Sequence, residues 1–301
     1  MSKFAFVILH YLTIDDTITC IDSIINNIEY DKYTIVVVDN GSENNTGKLL
    51  KNKYSGSKKI RILLNVENLG FAKGNNIGFR YAKDILNSDF IIMINNDTLI
   101  KQKDFINKII DKYNEYSFHI LGPDIISGVS ANHQNPRKET LTDIRIIKKF
   151  NKHYQLFLFL NYFGLDIIVT RIKKKFIPGS KLPTSIDPKL NPENKELKQV
   201  KLHGSAIIFS PLFISKYDHA FYPGTFMYCE ESILNYIAAK NQLKTIYSPE
   251  IIIYHKEDSA TNALLKKDYL KRRFYYKNFI KSGKVLINLM GKNKFNSHVK
   301  M

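Results

Sequence analysis

Three polar clusters in this chain have residue types and positions suited to chemistry on a phosphorylated ligand. The first, Asn95-Asn96-Asp97, closes the apolar run Phe90 to Ile94. That run is too short for a helix and suits a strand buried on both faces of a parallel sheet. Its polar end therefore emerges at the carboxyl edge, where open α/β sheets bind ligands. A carboxylate oxygen fixed there is the hard donor that Mg²⁺ or Mn²⁺ needs when it bridges to a substrate diphosphate. A polar strand-to-helix turn, with Asn and Asp as caps, is the competing reading. The second cluster, Asp39-Asn40-Gly41-Ser42, follows the run Thr34 to Val38. Asp39 there could accept hydrogen bonds from a nucleotide base or ribose, although the quartet is also a good turn sequence. The third is Glu230-Glu231, placed just before a helical pattern; taken alone, the pair need only favour the helix dipole.

The elements that position these clusters follow from periodicity. Phe4 to Leu9 reads as a first buried strand, and Thr13, Asp15 and Asp16 offer capping oxygens for a helix whose Ile18, Ile21, Ile25 and Ile28 form one stripe. With Thr34 to Val38 this makes a βαβ unit, so Asp39 falls on the same sheet edge as Asp97. Arg61 to Leu64 is a third short strand. Glycines 70, 74 and 78 then recur every four residues, one helical face that admits a close neighbour or a ligand; the spacing is neither a Walker loop nor a dinucleotide fingerprint. A helix through Phe105, Ile109 and Tyr113 follows the central strand. The second half resumes with a strand at Gly204 to Phe209 and a helix carrying Ile233, Leu234 and Ile237, and it closes on Ser248 to His255. The alternation predicts an α/β fold.

Three ordered segments carry a family resemblance: Val36-Val37-Val38-Asp39-Asn40-Gly41-Ser42, Asn68-Leu69-Gly70-Phe71-Ala72-Lys73-Gly74-Asn75-Asn76-Ile77-Gly78, and Ile94-Asn95-Asn96-Asp97-Thr98. Together they resemble the signature of family-2 glycosyltransferases with a GT-A fold, a Rossmann-like, mostly parallel sheet flanked by helices. Within that family the rhamnosyltransferase-like enzymes of bacterial surface-polysaccharide synthesis are similar. The resemblance implies an inverting, hexosyl-type transfer from a UDP- or dTDP-sugar to a glycan or polyprenyl-diphosphate-linked acceptor. It implies that Asp39 contacts the base, that Asn68, Gly70, Lys73, Asn76, Asn95 and Asn96 line the nucleotide-sugar site, and that Asp97 binds Mn²⁺ or Mg²⁺. Phe226 to Glu231 is similar to the family's Tyr-x-Glu-Asp segment, which makes Glu231 the catalytic base, with Glu230 beside it and one methylene more than the usual Asp. His255, ending the closing strand, is the residue that can complete the metal site. Asn95 stands where the metal motif often has an Asp, and His10 has no role by the resemblance.

The chain has 301 residues and 44% hydrophobic content, enough for a sizeable core. Cys20 and Cys229 have no metal-type spacing, which fits a reduced, cytoplasmic protein. The run Phe4 to Leu9 is too short for a signal-peptide core. The net charge of +17 is confined to two segments: 141–181 contributes +7 and 266–300 contributes +10. Such placement points to an anionic membrane surface or a polyanion; solvated surface lysines are the plainer reading. Tyr154 to Val169 is too short and too polar to span a bilayer; it reads either as an interfacial element at the inner face of the plasma membrane or as a core helix. The expected organisation is a catalytic domain over 1–260 and a basic helical tail over 261–301. Within the domain, 1–127 is the nucleotide-sugar half, 128–200 an irregular insert broken by prolines, and 201–260 the acceptor and catalytic half. Two rivals carry specific objections. A sugar-nucleotide pyrophosphorylase needs a Gly-rich basic loop where Leu12-Thr13-Ile14-Asp15-Asp16 stand. A nucleic-acid-binding protein needs a binding motif that neither basic segment shows, so no nucleic-acid partner is expected.

Overall fold

The computed structural model describes residues 1–137, 143–176, 194–257, 264–265 and 267–292. The first half alternates as the apolar runs require: β1 (Phe4–His10), α1 (Ile14–Asn27), β2 (Tyr33–Asp39), α2 (Thr46–Lys53), β3 (Ile60–Leu64), α3 (Gly70–Arg80), β4 (Phe90–Asn95), β5 (Thr98–Leu99), α4 (Phe105–Tyr116) and β6 (Ile120–Ser127). Then come α5 (Ile144–Tyr162), α6 (Asp166–Phe176), β7 (Leu197–Lys198), β8 (Ala206–Phe209), α7 (Pro211–Ile214), α8 (Glu230–Lys240), β9 (Thr245–His255) and a final helix, α9 (Asp268–Lys292).

All nine strands join one sheet in the order β3-β2-β1-β4-β8-β6-β9-β5, with β7 pairing β9 off that path. The β3, β2, β1 and β4 strands are mutually parallel, so their carboxyl ends share an edge. In register, His10 lies beside Asp39 and Leu9 beside Asn95. Strand β8 enters antiparallel to both β4 and β6, which makes β4 parallel on one side only. Its start therefore lies against the tip of β4, and the Asn95 amide donates to the Ser205 carbonyl at 2.9 Å.

Apolar side chains on both sheet faces form two buried clusters, one with Phe6, Ile8 and Ile92 under α1 and α4, the other with Val7, Met93 and Phe209 under α3 and α7. In α3, a Cβ at position 78 would overlap the Val7 side chain, so the glycine spacing serves close packing on the sheet. Thr13 begins α1 without a side-chain cap bond, because its hydroxyl accepts from Asn96 Nδ2 (2.8 Å) instead.

The insert is more regular than the sequence suggests. The core-helix alternative holds for α5, which contains no proline and whose Ile147, Asn151, Tyr154, Phe157 and Asn161 are buried. That face packs on α9, with Tyr154 and Phe157 against Tyr276 and Ile280. The basic segment at 268–292 is thus a packed helix rather than a loose appendage. Its Arg272 Nε donates to buried Asp166 (2.7 Å), and Arg273 Nε donates to Asn161 (2.9 Å). Pro178, Pro183, Pro188 and Pro192, together with 261–263, 266 and 293–301 of the expected tail, lie outside the described residues. Among the described residues no helix is long and apolar enough to cross a membrane.

Candidate active site

A two-residue strand brings Asp97 and His255 together. Immediately after Asp97 the chain forms β5, whose Thr98 pairs antiparallel with His255 of β9. That pairing brings His255 Nε2 to 3.2 Å from Asp97 Oδ1, although the two residues are 158 positions apart in sequence. The contact is not aligned as a hydrogen bond, and Asp97 Oδ1 is buried with no hydrogen-bond partner. His255 Nδ1 lies 2.8 Å from Gln134 Oε1, which can only accept, so Nδ1 carries a proton. A protonated imidazole would pair through Nε2 with the Asp97 carboxylate, whereas in the neutral ring the Nε2 lone pair and the carboxylate oxygen together would suit a cation.

A second polar network ties the neighbouring strand tips. His10 is fully buried; its Nδ1 lies 2.7 Å from Thr17 Oγ1 and its Nε2 2.9 Å from Thr46 Oγ1. Thr17 Oγ1 also accepts from Asn96 Nδ2 at 3.0 Å, so His10 of β1 connects the turn after β4 to the start of α2. Asp39 lies on the far side of the imidazole, with Oδ1 3.9 Å from His10 Nε2 and accepting from the Ser42 amide at 3.2 Å. Its carboxylate rests against Gly47, where any Cβ would overlap it.

Burial pulls the His10 imidazole down to about 4, against the opposing attraction of Asp39. The unfolded chain binds that proton near the ordinary value, ~6.5, so between ~6.5 and about 4 it holds more protons than the folded chain and stability falls as pH falls. In His10→Gln, urea midpoints should decline less steeply across that window than in the wild type. Equal slopes would show that another group sets the acid limb.

Asn40 organises the loop above. Its Oδ1 accepts from the Leu69 amide (3.1 Å) and Asn65 Nδ2 (3.2 Å), while its Nδ2 donates to Asn68 Oδ1 (3.0 Å) and the Gly70 carbonyl (3.2 Å). Gly70 has φ of +81°, a left-handed conformation, and its Cβ would strike the Phe226 carbonyl. The Phe71 amide donates to that same carbonyl at 2.7 Å, which docks the loop carrying the acidic pair onto α3. Asn76 does related work further along: its Oδ1 accepts from the amides of Ala220 and Phe221, and its Nδ2 donates to the Phe221 carbonyl. Lys73 is exposed on the same helix.

Glu230 and Glu231 open α8 after two consecutive left-handed residues, Tyr228 (φ +70°) and Cys229 (φ +67°). Each such residue stores about 1–3 kcal/mol, and strain of this kind collects at functional sites. The loop is held from behind by α9, where Ser282 Oγ donates to the Met227 carbonyl at 2.8 Å. Glu230 is buried, its Oε1 has no hydrogen bond, and burial followed by repulsion from Glu231 pushes its carboxyl well above the ordinary range. Glu231 is half-buried, and its carboxylate lies against Gly204, one residue from the Ser205 carbonyl that receives the Asn95 amide. The two acids are thus differentiated, one enclosed with its protonated form favoured, the other beside the tip of β4.

Residues 6–171 match a family model described as glycosyl transferase family 2. The chain belongs to glycosyl transferase family 2. Its mixed, mostly parallel sheet flanked by helices is that of the GT-A fold. No curated protein matches the chain. Among solved structures it is similar to S. aureus TarS 1–349 in complex with UDP-GlcNAc, at 20% identity and a TM-score of 0.38, over 48% of this chain and 42% of that one. It is also similar to S. aureus TarS at 13% identity and a TM-score of 0.49, over 84% of this chain and 36% of that one. The chain therefore spans less than half the length of either TarS chain.

Family 2 chains of this fold imply a divalent metal, and the residues present fit one. Asp97 supplies an anionic oxygen without a donor, and His255 supplies a nitrogen fixed by Gln134. Among the described residues no group of three or more His, Cys, Asp or Glu gathers to hold a metal ion. A hard cation here would fill its other positions with substrate diphosphate oxygens and water, as Mg²⁺ ordinarily does. Sequence reading missed two residues of this family 2 site. Asn40 was visible only as part of a turn quartet, and Gln134 lies in the insert with no periodic signal.

Proposed function

We propose that this family 2 chain is an inverting, metal-dependent glycosyltransferase that moves a sugar from a UDP- or dTDP-sugar to a glycan or lipid-linked oligosaccharide of cell-surface polysaccharide synthesis. The observation that carries the reading is the facing of Asp97 Oδ1 and His255 Nε2 at 3.2 Å, with the carboxylate oxygen lacking a donor, on the edge that also presents Asp39. Asp39, enclosed by the Ser42 amide, Gly47 and His10, would receive hydrogen bonds from the base. The nucleotide-sugar wall would be the loop from Asn68 to Lys73, shaped by Asn40, with Asn95 on the strand tip. Asn96 and Asn76 would support it by anchoring Thr13 and the 220–221 backbone.

Asp97 and His255 would hold the cation, which when bound neutralises charge on the nucleoside diphosphate as it leaves. Glu231 would take the proton of the acceptor hydroxyl as that oxygen bonds to the anomeric carbon. The bond to the diphosphate oxygen breaks on the opposite face, so configuration inverts and both electrons leave with the nucleoside diphosphate. Glu230, whose protonated form burial favours, would serve as a hydrogen-bond donor beside it rather than as a second base.

Incubation with a panel of UDP- and dTDP-sugars plus Mn²⁺ tests the reading without knowledge of the acceptor, because such enzymes hydrolyse a bound donor slowly. The expected result is release of nucleoside diphosphate from one donor, abolished by chelation. Release from none of them, by a protein shown to be folded, would overturn the proposal.

A further inference from the structure

We infer that the tip of the α5–α6 hairpin is a docking surface for an anionic lipid bilayer. The inner face of α5 is used up by α9, yet the outer face at its carboxyl end is apolar and open: Leu156, Phe159 and Phe163 are 53%, 60% and 65% exposed. Across the short turn, α6 adds Leu165 and Ile168 at 43% and 52%. The Phe159 and Phe163 rings pack together at 5.1 Å rather than against the protein. A group of exposed aromatic and aliphatic side chains on either side of one turn is a surface suited to being covered.

Charge placement says by what. On the same outward side of α5, Lys148, Lys149 and Lys152 are exposed before the apolar turns begin. At a rise of ~1.5 Å per residue, Lys152 sits about 10 Å behind Phe159 along the axis, the depth difference between a headgroup and the upper acyl region. On α9, Lys277, Lys281 and Lys284 make a second exposed basic row. Arg273 lies over the Tyr162 ring at 4.1 Å, so a cation and an amphipathic ring share the rim of the cluster. The two acids of the hairpin are already engaged: Asp166 is buried against Arg272, and Asp143 pairs with Arg145. Among the described residues the exposed acid at this end is Asp268 of α9, which lies 3.8 Å from Lys271; an apolar tip whose collar carries more cations than acids matches a bilayer containing anionic lipid, in which the rings insert and the lysines reach phosphate. The inference stands apart from glycosyl transfer, since lipid binding needs no donor or acceptor.

Sedimentation of the full chain with vesicles of phosphatidylcholine alone, or mixed with phosphatidylglycerol, provides the test. We expect binding to the mixed vesicles only, weakened by salt. The double variant Phe159→Ser/Phe163→Ser should bind about tenfold or more weakly, since two large apolar side chains no longer enter the interface. Lys148→Glu/Lys152→Glu should lose binding without touching the rings. All these side chains are exposed, so melting temperatures should not change, and that is the folding control. Absence of wild-type binding, equal binding to both vesicle types, or full binding by the Phe variant would each overturn the inference. So would a wild-type dimer that the Phe variant dissolves in the absence of lipid, because the tip would then be covered by a second copy.

Discussion

Glu231→Gln is expected to lower turnover by about 10²–10⁴-fold while leaving donor affinity and melting temperature close to wild type, the loss a general base carries. If the carboxylate only complemented the α8 dipole, the substitution would cost about 0.3–1 kcal/mol of stability and little activity. The structure separates the two acids more sharply than their adjacency suggests. Glu230 is enclosed, and burial pushes its carboxyl well above the ordinary range, which favours its protonated form and suits it to donate a hydrogen bond. Glu230→Gln replaces one neutral donor by another of nearly the same shape and should keep most of the turnover. It should also raise stability at neutral pH. The unfolded carboxyl ionises above its ordinary value while the folded one does not, so this group's contribution is full at low pH and fades as pH rises. Should Glu231→Gln turn over normally and Glu230→Gln be dead, the base is Glu230 and the roles are reversed.

Asp97→Ala should abolish Mn²⁺-dependent binding of nucleoside diphosphate, with a loss of more than about 100-fold, beyond that seen when only a supporting residue of a metal site is changed. His255→Ala should weaken it less, since one anionic oxygen remains, and Gln134→Leu less again by freeing the imidazole tautomer. Removing Asp97 also removes a buried oxygen that has no donor, so the fold should tolerate the change well. Calorimetry with Mn²⁺ and with a chelator distinguishes the cases. Metal-dependent affinity that survives in folded Asp97→Ala would place the cation elsewhere.

What could be read from the chain, and what could not, divides along the range of the forces involved. Phe4 to Leu9, Thr34 to Val38 and Phe90 to Ile94 are continuous apolar runs, and a parallel sheet is the structure that buries such runs on both faces, so the sequence alone puts Asp39 and Asp97 on one edge. The pairing of Thr98 with His255 was not legible, because a two-residue strand has no periodicity and its partner lies at the other end of the domain. Strand β8 was recognisable as a strand but not as antiparallel, since direction is fixed by the chain's route rather than by Ala206 to Phe209 themselves. The role of Asn40 was hidden by its own chemistry: Asn suits a turn, and only the fold shows four hydrogen bonds converging on its amide. The helix α5 carried a usable stripe, but aromatic residues on both of its faces blurred which one was inside.

The pairing of α5 with α9 sets an order of events during synthesis. Roughly a hundred residues separate the end of one helix from the start of the other, about 5–20 s of elongation at ordinary rates. Throughout that interval Tyr154 and Phe157 have no Tyr276 or Ile280 to cover them, and Asp166 has no Arg272. A nascent chain therefore exposes both sides of α5 until the last helix leaves the ribosome, and it is then most open to chaperones and to aggregation. Stopping the chain near residue 267 would make that state permanent. Such a truncation removes many lysines, but it is a folding lesion before it is a change of charge.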